Sequence, residues 1–355
     1  MRRLLKISAV LAILIGLTTS FYYFLRATPE QEMAMDHSEG VAIVITGAAA
    51  RIPQEAALLE QLYYSGEMNN IAFISGVSSG ALNAVMLNAI LDRKYTWKRY
   101  KDLLFSLTNQ SIFYTTNKPL PVNTEPLRQL LTAVLHDTLH YHKLKDLPYP
   151  TSLSTVSLSI KSWADLTYRL SNRKINAESD PELDLVEVLM ASTAFPIAFP
   201  PVEISKSTTL PHGKFIDGGT TSDYIPYRAV LEFEKFSGHN LSRMIIVSRK
   251  LDTEEGLRAE LSNMGINRLE LLDKLNLAIE DLAQRAFFTG LESLMKEAPM
   301  LSEKTLIYLP AIPGEYPLFD FNNMKDQYIA SRAWAQTHKP IPLATFLKEG
   351  ISIYD

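Results

Sequence analysis

The stretch IAFISGVSSGALNAVMLNAIL, residues 71–91, decides the fold that this sequence predicts. Its first four residues are apolar and predict a short buried strand, and apolar residues at helical spacing in its second half predict a helix. Between the two lies the pattern Gly-x-Ser-x-Gly, in which Gly76 and Gly80 flank Ser78. A sharp turn from strand to helix needs residues without bulk beside its apex, so the pattern predicts an elbow that exposes the Ser78 hydroxyl.

The position of Ser78 before a helix suits chemistry in which negative charge develops. The helix dipole and the unpaired N–H groups of the first turn stabilise an anion at a helix N-terminus. Ser78 is therefore a candidate nucleophile. A plain Gly/Ser turn between two core elements fits the same residues, because short motifs also occur by chance. The rest of the chain has to decide between the two interpretations.

A second strand and loop precede the elbow. Residues 41–45 are mostly β-branched and predict a strand that ends at Gly47, after which Ala48, Ala49 and Arg51 lead into a helical pattern. The order strand, helix, strand, helix predicts a parallel sheet with helices packed on its faces. A loop that opens a helix has unpaired N–H groups, and Arg51 adds a positive charge beside them.

Two further segments follow the elbow. Residues 191–201, ASTAFPIAFPP, combine small residues with prolines and predict a tight loop against the sheet. Residues 215–219 contain Asp217 directly before Gly218 and Gly219. The glycines allow close approach of the backbone, so the Asp217 carboxyl can point into a confined site. A turn aspartate that accepts hydrogen bonds from its own backbone is the common alternative.

Composition and charge exclude several classes of function. The 355 residues are 46% hydrophobic and 21% charged, which is typical of a folded globular protein. A net charge of -4 gives no indication of a nucleic-acid partner. The chain has no cysteine, which excludes disulfides, thiolate metal sites and a cysteine nucleophile.

Residues 96–147 predict helices and a loop that together cap the site. The segment contains His136, His140 and His142, which invite comparison with a metal site. These histidines have no acidic partner at a recognisable ligand spacing, so a solvated or packing role is favoured. We therefore predict neither a metal site nor a cofactor.

The N-terminal segment, residues 1–27, has the pattern of a membrane anchor. Basic residues precede an uncharged stretch, residues 7–25, that is long enough to cross a bilayer as a helix. The basic residues predict a cytoplasmic N-terminus, which would put the main domain on the non-cytoplasmic side of the membrane. A cleaved signal peptide, and so a secreted or periplasmic protein, is the alternative, and an ordinary buried helix is a third. Residues 28–40 are polar and predict a linker.

Four motifs stand in one order: the loop from Gly47 to Arg51, Gly-x-Ser-x-Gly, the segment at residues 191–201, and Phe-x-Asp-Gly-Gly. This order resembles that of the patatin-like phospholipase family over residues 41–226. The order of all four motifs is more specific for the family than any one motif alone. The resemblance implies a three-layer patatin-like α/β fold with a central, mostly parallel sheet. It places a catalytic core at residues 41–231 and a C-terminal helical extension, packed on that core, at residues 232–355.

The resemblance also implies a dyad in which Ser78 is the nucleophile and Asp217 is the general base, without a histidine. The chemistry is coherent, because an adjacent base activates a serine hydroxyl and burial raises the proton affinity of an aspartate. The implied reaction is acyl transfer from a lipid or phospholipid ester to Ser78, followed by hydrolysis, at a membrane surface. No cofactor is implied, and the resemblance indicates no protein partner.

The oxyanion of this reaction would lie against the loop that follows Gly47. Backbone N–H groups of Ala48 and Ala49 would donate to it, with Arg51 fixing the loop. The family usually has consecutive glycines where this chain has the two alanines. If the loop needs positive φ, each alanine that adopts it costs on the order of 1 kcal/mol.

Two alternatives remain open. A Ser-Asp-His triad of the ordinary α/β-hydrolase type is compatible with the chain order, with His239 or His338 as the histidine, although both are expected at the surface. A membrane-anchored relative that binds lipid with weak or no turnover is favoured by the alanines at positions 48 and 49.

Overall fold

The computed structural model describes residues 40–115, 120–158, 167–205, 207, 209–220, 223–251 and 268–349, and the side chains of all of these except residues 268–279. The predicted anchor at residues 1–27 lies outside the described residues, as does the predicted linker at residues 28–40 apart from Gly40. Within the described ranges, no helix is both long and apolar enough to cross a membrane.

One sheet of nine strands forms the centre of the described chain. The strands are β1 (Val41–Ile45), β2 (Ile71–Val77), β3 (Thr151–Ser157), β4 (Thr167–Ser171), β5 (Val202–Glu203), β6 (Lys214–Asp217), β7 (Arg243–Val247), β8 (Thr305–Tyr308) and β9 (Ile341–Pro342). Strands β3, β2, β1, β7 and β8 lie side by side in that order and are parallel. The other four pair antiparallel at the margins. The prediction of an α/β fold with a mostly parallel sheet is therefore confirmed.

The central strands are buried along their whole length. Every residue of β1, with the sequence VAIVI, is buried, as a parallel strand covered on both faces requires. On β2, the ring of Phe73 stacks on Phe233 with 4.6 Å between the centroids. Burying one such large apolar side chain contributes about 1.5–3 kcal/mol, so the apolar runs that predict the strands also stabilise them.

Helices connect these strands. They are α1 (Ile52–Tyr64), α2 (Ser79–Leu91), α3 (Trp97–Ser106), α4 (Asn109–Ile112), α5 (Glu125–Thr132), α6 (Leu185–Ser192), α7 (Arg228–Ser237), α8 (Arg268–Glu297), α9 (Pro299–Glu303), α10 (Met324–Ala335) and α11 (Leu343–Glu349). The chain continues from α5 into a π-helical segment, Ala133–Leu139. The region expected to cap the site is thus largely helical.

The sheet changes its winding direction at β1. The connection from β1 to β2 through α1 moves to one side of β1, and the connection from β7 to β8 through α8 moves to the other side. Because crossovers between parallel strands are right-handed, the two connections leave the sheet on opposite faces. Such a point, at the carboxyl ends of parallel strands, is the usual place for a ligand in open α/β sheets. The loop after β1, which begins with Thr46 and Gly47, lies there.

The C-terminal part of the chain contributes to the same sheet. Strands β7, β8 and β9 all come after residue 231 and extend the sheet from β1. The division into a core at residues 41–231 and an extension at residues 232–355 stays a prediction.

Candidate active site

Ser78 joins β2 to α2 in a strained backbone conformation. Its φ is 57° and its ψ is -131°, and a non-glycine residue with positive φ is uncommon enough to suggest a functional constraint. A Cβ at Gly76 would lie 2.5 Å from the carbonyl oxygen of Gly80, and one at Gly80 would lie 2.1 Å from that of Thr46. The turn can be this tight only because both flanking residues are glycines.

Strand pairing brings Asp217 to the elbow. Strand β4 covers residues of β3 that also pair with β2 and with β6, so β4 occupies one edge of β3 while β2 and β6 share the other. Val77, at the end of β2, pairs with Ser154, and Asp217, at the end of β6, pairs with the next residue, Thr155. The two strands therefore meet end to end along β3. This brings Ser78, the residue after Val77, close to Asp217.

Glycine packing and one hydrogen bond hold the Asp217 carboxyl. A Cβ at Gly218 would lie 2.7 Å from the backbone of Ser154, so this position also requires glycine. The N–H of Gly219 donates to Asp217 Oδ1 at 2.7 Å. Oδ2 is buried, and none of the described residues meets both the distance and the angle of a hydrogen bond to it.

The environment of Asp217 raises its proton affinity. Burial raises the pKa of the carboxyl from 3.8 to about 7, and interactions with the Ser78 hydroxyl and the Gly219 N–H lower that pKa only in part. Asp217 is only 1% exposed. Its carboxylate can therefore accept a proton near neutral pH and release it again. These are the properties required of a general base.

The loop after β1 is held by side chains on both sides. The hydroxyl of Tyr224 donates to the carbonyl oxygen of Gly47 at 2.7 Å, and the N–H of Ala48 donates to Ser79 Oγ at 2.8 Å. Ala48 has an ordinary φ of -128°, whereas Ala49 has a positive φ of 46°. Among the described residues, the N–H of Gly47 and that of Ala49 have no hydrogen-bond acceptor. Of the two alanines, only Ala49 bears the expected strain, and the N–H of Ala48 already has an acceptor.

Arg51 ends this loop as a buried cation. Its side chain donates from Nε to the carbonyl oxygen of Tyr316 at 2.6 Å and from Nη2 to Glu280 Oε2 at 2.7 Å. Both partners come from the C-terminal part of the chain. Arg51 thus ties the loop to that part.

Several residues of the site were not found by sequence reasoning. The N–H of Ser78 donates to Ser192 Oγ at 3.1 Å, and the Ser192 hydroxyl donates to the carbonyl oxygen of Ser154 at 2.7 Å. Ser192 lies in the segment at residues 191–201, for which the sequence predicts a tight loop against the sheet. The sequence therefore indicated this segment, although not the role of Ser192. Tyr224 and Glu280 belong to no motif, and only their position in space reveals them.

A pocket of about 510 Å³, measured to its open mouth, lies over Ser78 and Asp217. The loops that follow β1 and β7, where the winding of the sheet reverses (the switch point), contribute Gly47 and Arg249 to its wall. The remaining wall is mostly apolar and includes Phe195, Leu282, Ala283, Leu318 and Phe319. The pocket therefore combines a polar floor with walls that suit hydrocarbon.

The two histidines considered for a triad lie elsewhere. The ring of His239 packs on Phe233, with 5.4 Å between centroids, and the ring of His338 stacks on Trp334 at 4.4 Å. Neither histidine lines the pocket. In the described part of the chain, no group of three or more His, Asp or Glu side chains is arranged to hold a metal ion.

A strained serine at a strand-to-helix elbow, beside a buried aspartate and under an apolar pocket, defines a candidate hydrolase site on an α/β fold. The chain belongs to the patatin-like phospholipase family, because the model of that family matches residues 43–231, more than half of the chain. Membership supports a lipid acyl hydrolase at the level of the family. Among solved structures, the chain is similar to VipD from Legionella pneumophila, with 12% identity and a TM-score of 0.38 over 85% of this chain and 67% of that one. The curated protein sequences contain no match.

Proposed function

We propose that this protein hydrolyses carboxylic esters of lipids through a dyad of Ser78 and Asp217. The observation that carries the proposal is the end-to-end meeting of β2 and β6 on β3, which sets a strained serine beside a buried carboxyl. A serine in a simple turn needs neither the positive φ nor a partner whose pKa is raised to about 7. Both features are those of an activated nucleophile and its base.

In the first half of the reaction, Ser78 Oγ attacks the carbonyl carbon of the ester while the Asp217 carboxylate accepts the hydroxyl proton. The tetrahedral intermediate collapses, the C–O bond of the ester breaks, and Asp217 returns the proton to the departing alcohol. In the second half, water attacks the acyl-Ser78 carbonyl and gives its proton to Asp217. Collapse of this second intermediate releases the fatty acid and returns the proton to Ser78 Oγ.

The charge of each tetrahedral intermediate needs hydrogen-bond donors. The N–H groups of Gly47 and Ala49 are suited to this, because neither has an acceptor among the described residues and both residues line the pocket. The bond from the Ala48 N–H to Ser79 Oγ then holds the loop against α2 rather than serving the oxyanion. One such donor contributes about 2.7–4 kcal/mol to a transition state, so two would account for a large part of the catalysis.

A lipid is the substrate class that best fits the pocket and its rim. Leu282 lines the pocket and is 57% exposed, and Ile197, two residues after Phe195, is 66% exposed. Ile197 has a φ of 71°, and a β-branched residue with positive φ is an outlier that costs free energy. Exposed apolar side chains beside the pocket support contact with a membrane surface. The anchor predicted at residues 1–27 would hold the site close to that surface, on the non-cytoplasmic side.

A fluorophosphonate probe tests the dyad directly, because it labels a serine only when a base activates it. We expect the wild-type protein to be labelled at Ser78, and Ser78→Ala and Asp217→Asn to be unlabelled while remaining folded. His239→Ala and His338→Ala are the matched controls and should be labelled like the wild type. A panel of phospholipid, lysophospholipid and acylglycerol esters would then identify the substrate.

Two outcomes would overturn the proposal. If either histidine variant lost labelling as fully as Ser78→Ala, a triad would replace the dyad. If the folded wild-type protein were not labelled but bound lipid vesicles, the protein would be a lipid-binding relative without turnover.

A further inference from the structure

Residues 47–51 form the proposed oxyanion loop, and a carboxylate from the distant helix α8 binds the arginine at the end of this loop. Glu280 lies on α8, outside the part of the chain that the family model matches. Its two oxygens both contact the Arg51 guanidinium, with Oε2 2.7 Å from Nη2 and Oε1 2.6 Å from Nη1. This paired arrangement of two nitrogens and two oxygens is the strongest and most directional form of an ion pair.

The same carboxylate also holds the second loop of the switch point. Arg249, two residues after β7, places Nη1 2.5 Å from Glu280 Oε1, and Arg249 lines the pocket. Glu280 therefore joins the loops that follow β1 and β7, the two strands between which the winding of the sheet reverses. All three side chains are almost fully buried, so water and salt screen these contacts much less than they screen surface pairs.

Backbone strain in the oxyanion loop explains why it needs to be held in place. Ala49 holds a positive φ that alanine disfavours, and a strained residue persists only where its surroundings over-determine it. Arg51 follows Ala49 by two residues and is fixed in position by Glu280. Ala283, one helical turn from Glu280, lines the pocket, so α8 presents the carboxylate and part of the pocket wall from one face.

We propose that Glu280 is a positioning residue for the oxyanion loop, so that helix α8 completes a site whose nucleophile, base and oxyanion loop come from the family-matched region. The inference rests on the proposed function, because it assigns a role in stabilising the oxyanion. It implies that displacement of α8 slows the chemistry even when Ser78 and Asp217 stay in place.

Glu280→Gln is the test, because it keeps the shape of the side chain and removes its charge. Asp281→Asn is the matched control, since Asp281 is the next residue on the helix and makes an exposed pair with Arg285 at 2.9 Å. The measurement is the rate constant for fluorophosphonate labelling of Ser78, with the fraction of labelled sites and the thermal unfolding midpoint recorded in parallel.

We expect Glu280→Gln to lower the labelling rate constant by roughly tenfold to hundredfold, since misplaced donors no longer meet the developing charge. Asp281→Asn should stay within about twofold of the wild type, as is usual for an exposed pair. The pH at which labelling is half-maximal should not move in either variant, because Asp217 is untouched. With a lipid ester, the loss should fall on kcat rather than on KM.

The outcomes separate this inference from the proposed function. A wild-type protein that is not labelled contradicts the function itself. A labelled wild type with a normal rate constant in Glu280→Gln contradicts the positioning role, even if the variant unfolds at a lower temperature, because a purely structural residue changes the labelled fraction and not the rate of each site. If Glu280→Gln does not fold, Glu280→Asp replaces it, and an unchanged rate constant there overturns the proposal.

Discussion

Replacing the proposed base with asparagine should remove activity and, above neutral pH, stabilise the fold. Asp217→Asn keeps the shape of the side chain and an amide oxygen that can accept from the Gly219 N–H, the hydrogen bond that Asp217 Oδ1 makes at 2.7 Å. It removes the group that takes a proton from Ser78. Because Asp217 is fully buried, it also removes a carboxylate that the folded protein must desolvate.

The pKa of Asp217 sets the size of the stability effect. Burial raises that pKa from 3.8 to about 7, and at 1.36 kcal/mol for each pKa unit this difference corresponds to on the order of 4 kcal/mol. Below about pH 4 the carboxyl is protonated in the folded and the unfolded protein, and there is no penalty. Between about pH 4 and 7 the folded protein binds more protons than the unfolded one, so its stability falls as the pH rises. Above about pH 7 the whole penalty is present.

The assay is urea unfolding of the wild type and of Asp217→Asn between about pH 4.5 and about pH 8. The free energy of unfolding of the variant, minus that of the wild type, should increase across this range by up to about 4 kcal/mol. Any constant effect of the amide itself cancels in this comparison. Asp281→Asn, at an exposed position, should show a difference that hardly depends on pH. Ser78 labelling of the wild type should rise over the same range with a midpoint near 7.

A difference in unfolding free energy that is independent of pH would refute this reasoning. It would mean that Asp217 titrates alike in the folded and unfolded protein and is not the desolvated base proposed here. A difference that shrinks as the pH rises would indicate a carboxylate stabilised by the fold, which is the opposite of the environment described.

Three further substitutions test the geometry around the site. Gly80→Ala should destabilise the protein by about 3 kcal/mol or more or prevent folding, because its Cβ would lie 2.1 Å from the carbonyl oxygen of Thr46; chemical unfolding measures this, and wild-type stability would contradict it. Ala49→Gly should raise the free energy of unfolding by about 1 kcal/mol by relieving the φ of 46°, and an unfolding midpoint below that of the wild type would speak against strain there. Tyr224→Phe should cost about 1–3 kcal/mol and slow Ser78 labelling, since the carbonyl of Gly47 loses its donor; unchanged labelling would show that this hydrogen bond does not order the loop.

The first half of the sheet could be predicted because its signals are local. Strand β1 and the run from β2 into α2 have apolar patterns bounded by glycine, and such patterns depend only on neighbouring residues. Strand β3, Thr151–Ser157, is hard to predict for a physical reason. Its serines and threonines suggest a loop, yet every residue is buried and several side chains have hydrogen-bond partners, as Ser154 has with Asp223 at 2.6 Å. Periodicity cannot distinguish a polar residue in water from one satisfied inside the protein.

Strand β3 matters because its pairing with β2 and β6 brings the dyad together. Motif order indicates Ser78 and Asp217 as residue types, but 139 positions of sequence separate them, and their meeting depends on Ser154 and Thr155 being consecutive on one edge of β3. Glu280 shows the same limit more sharply, since it lies 229 positions from Arg51 in a helix whose sequence suggests only packing and charge pairing. A buried ion is identified by its partner, and the partner is known only once the fold is known. We therefore expect the residues that tune this site, as opposed to those that perform the chemistry, to come mainly from outside the motifs.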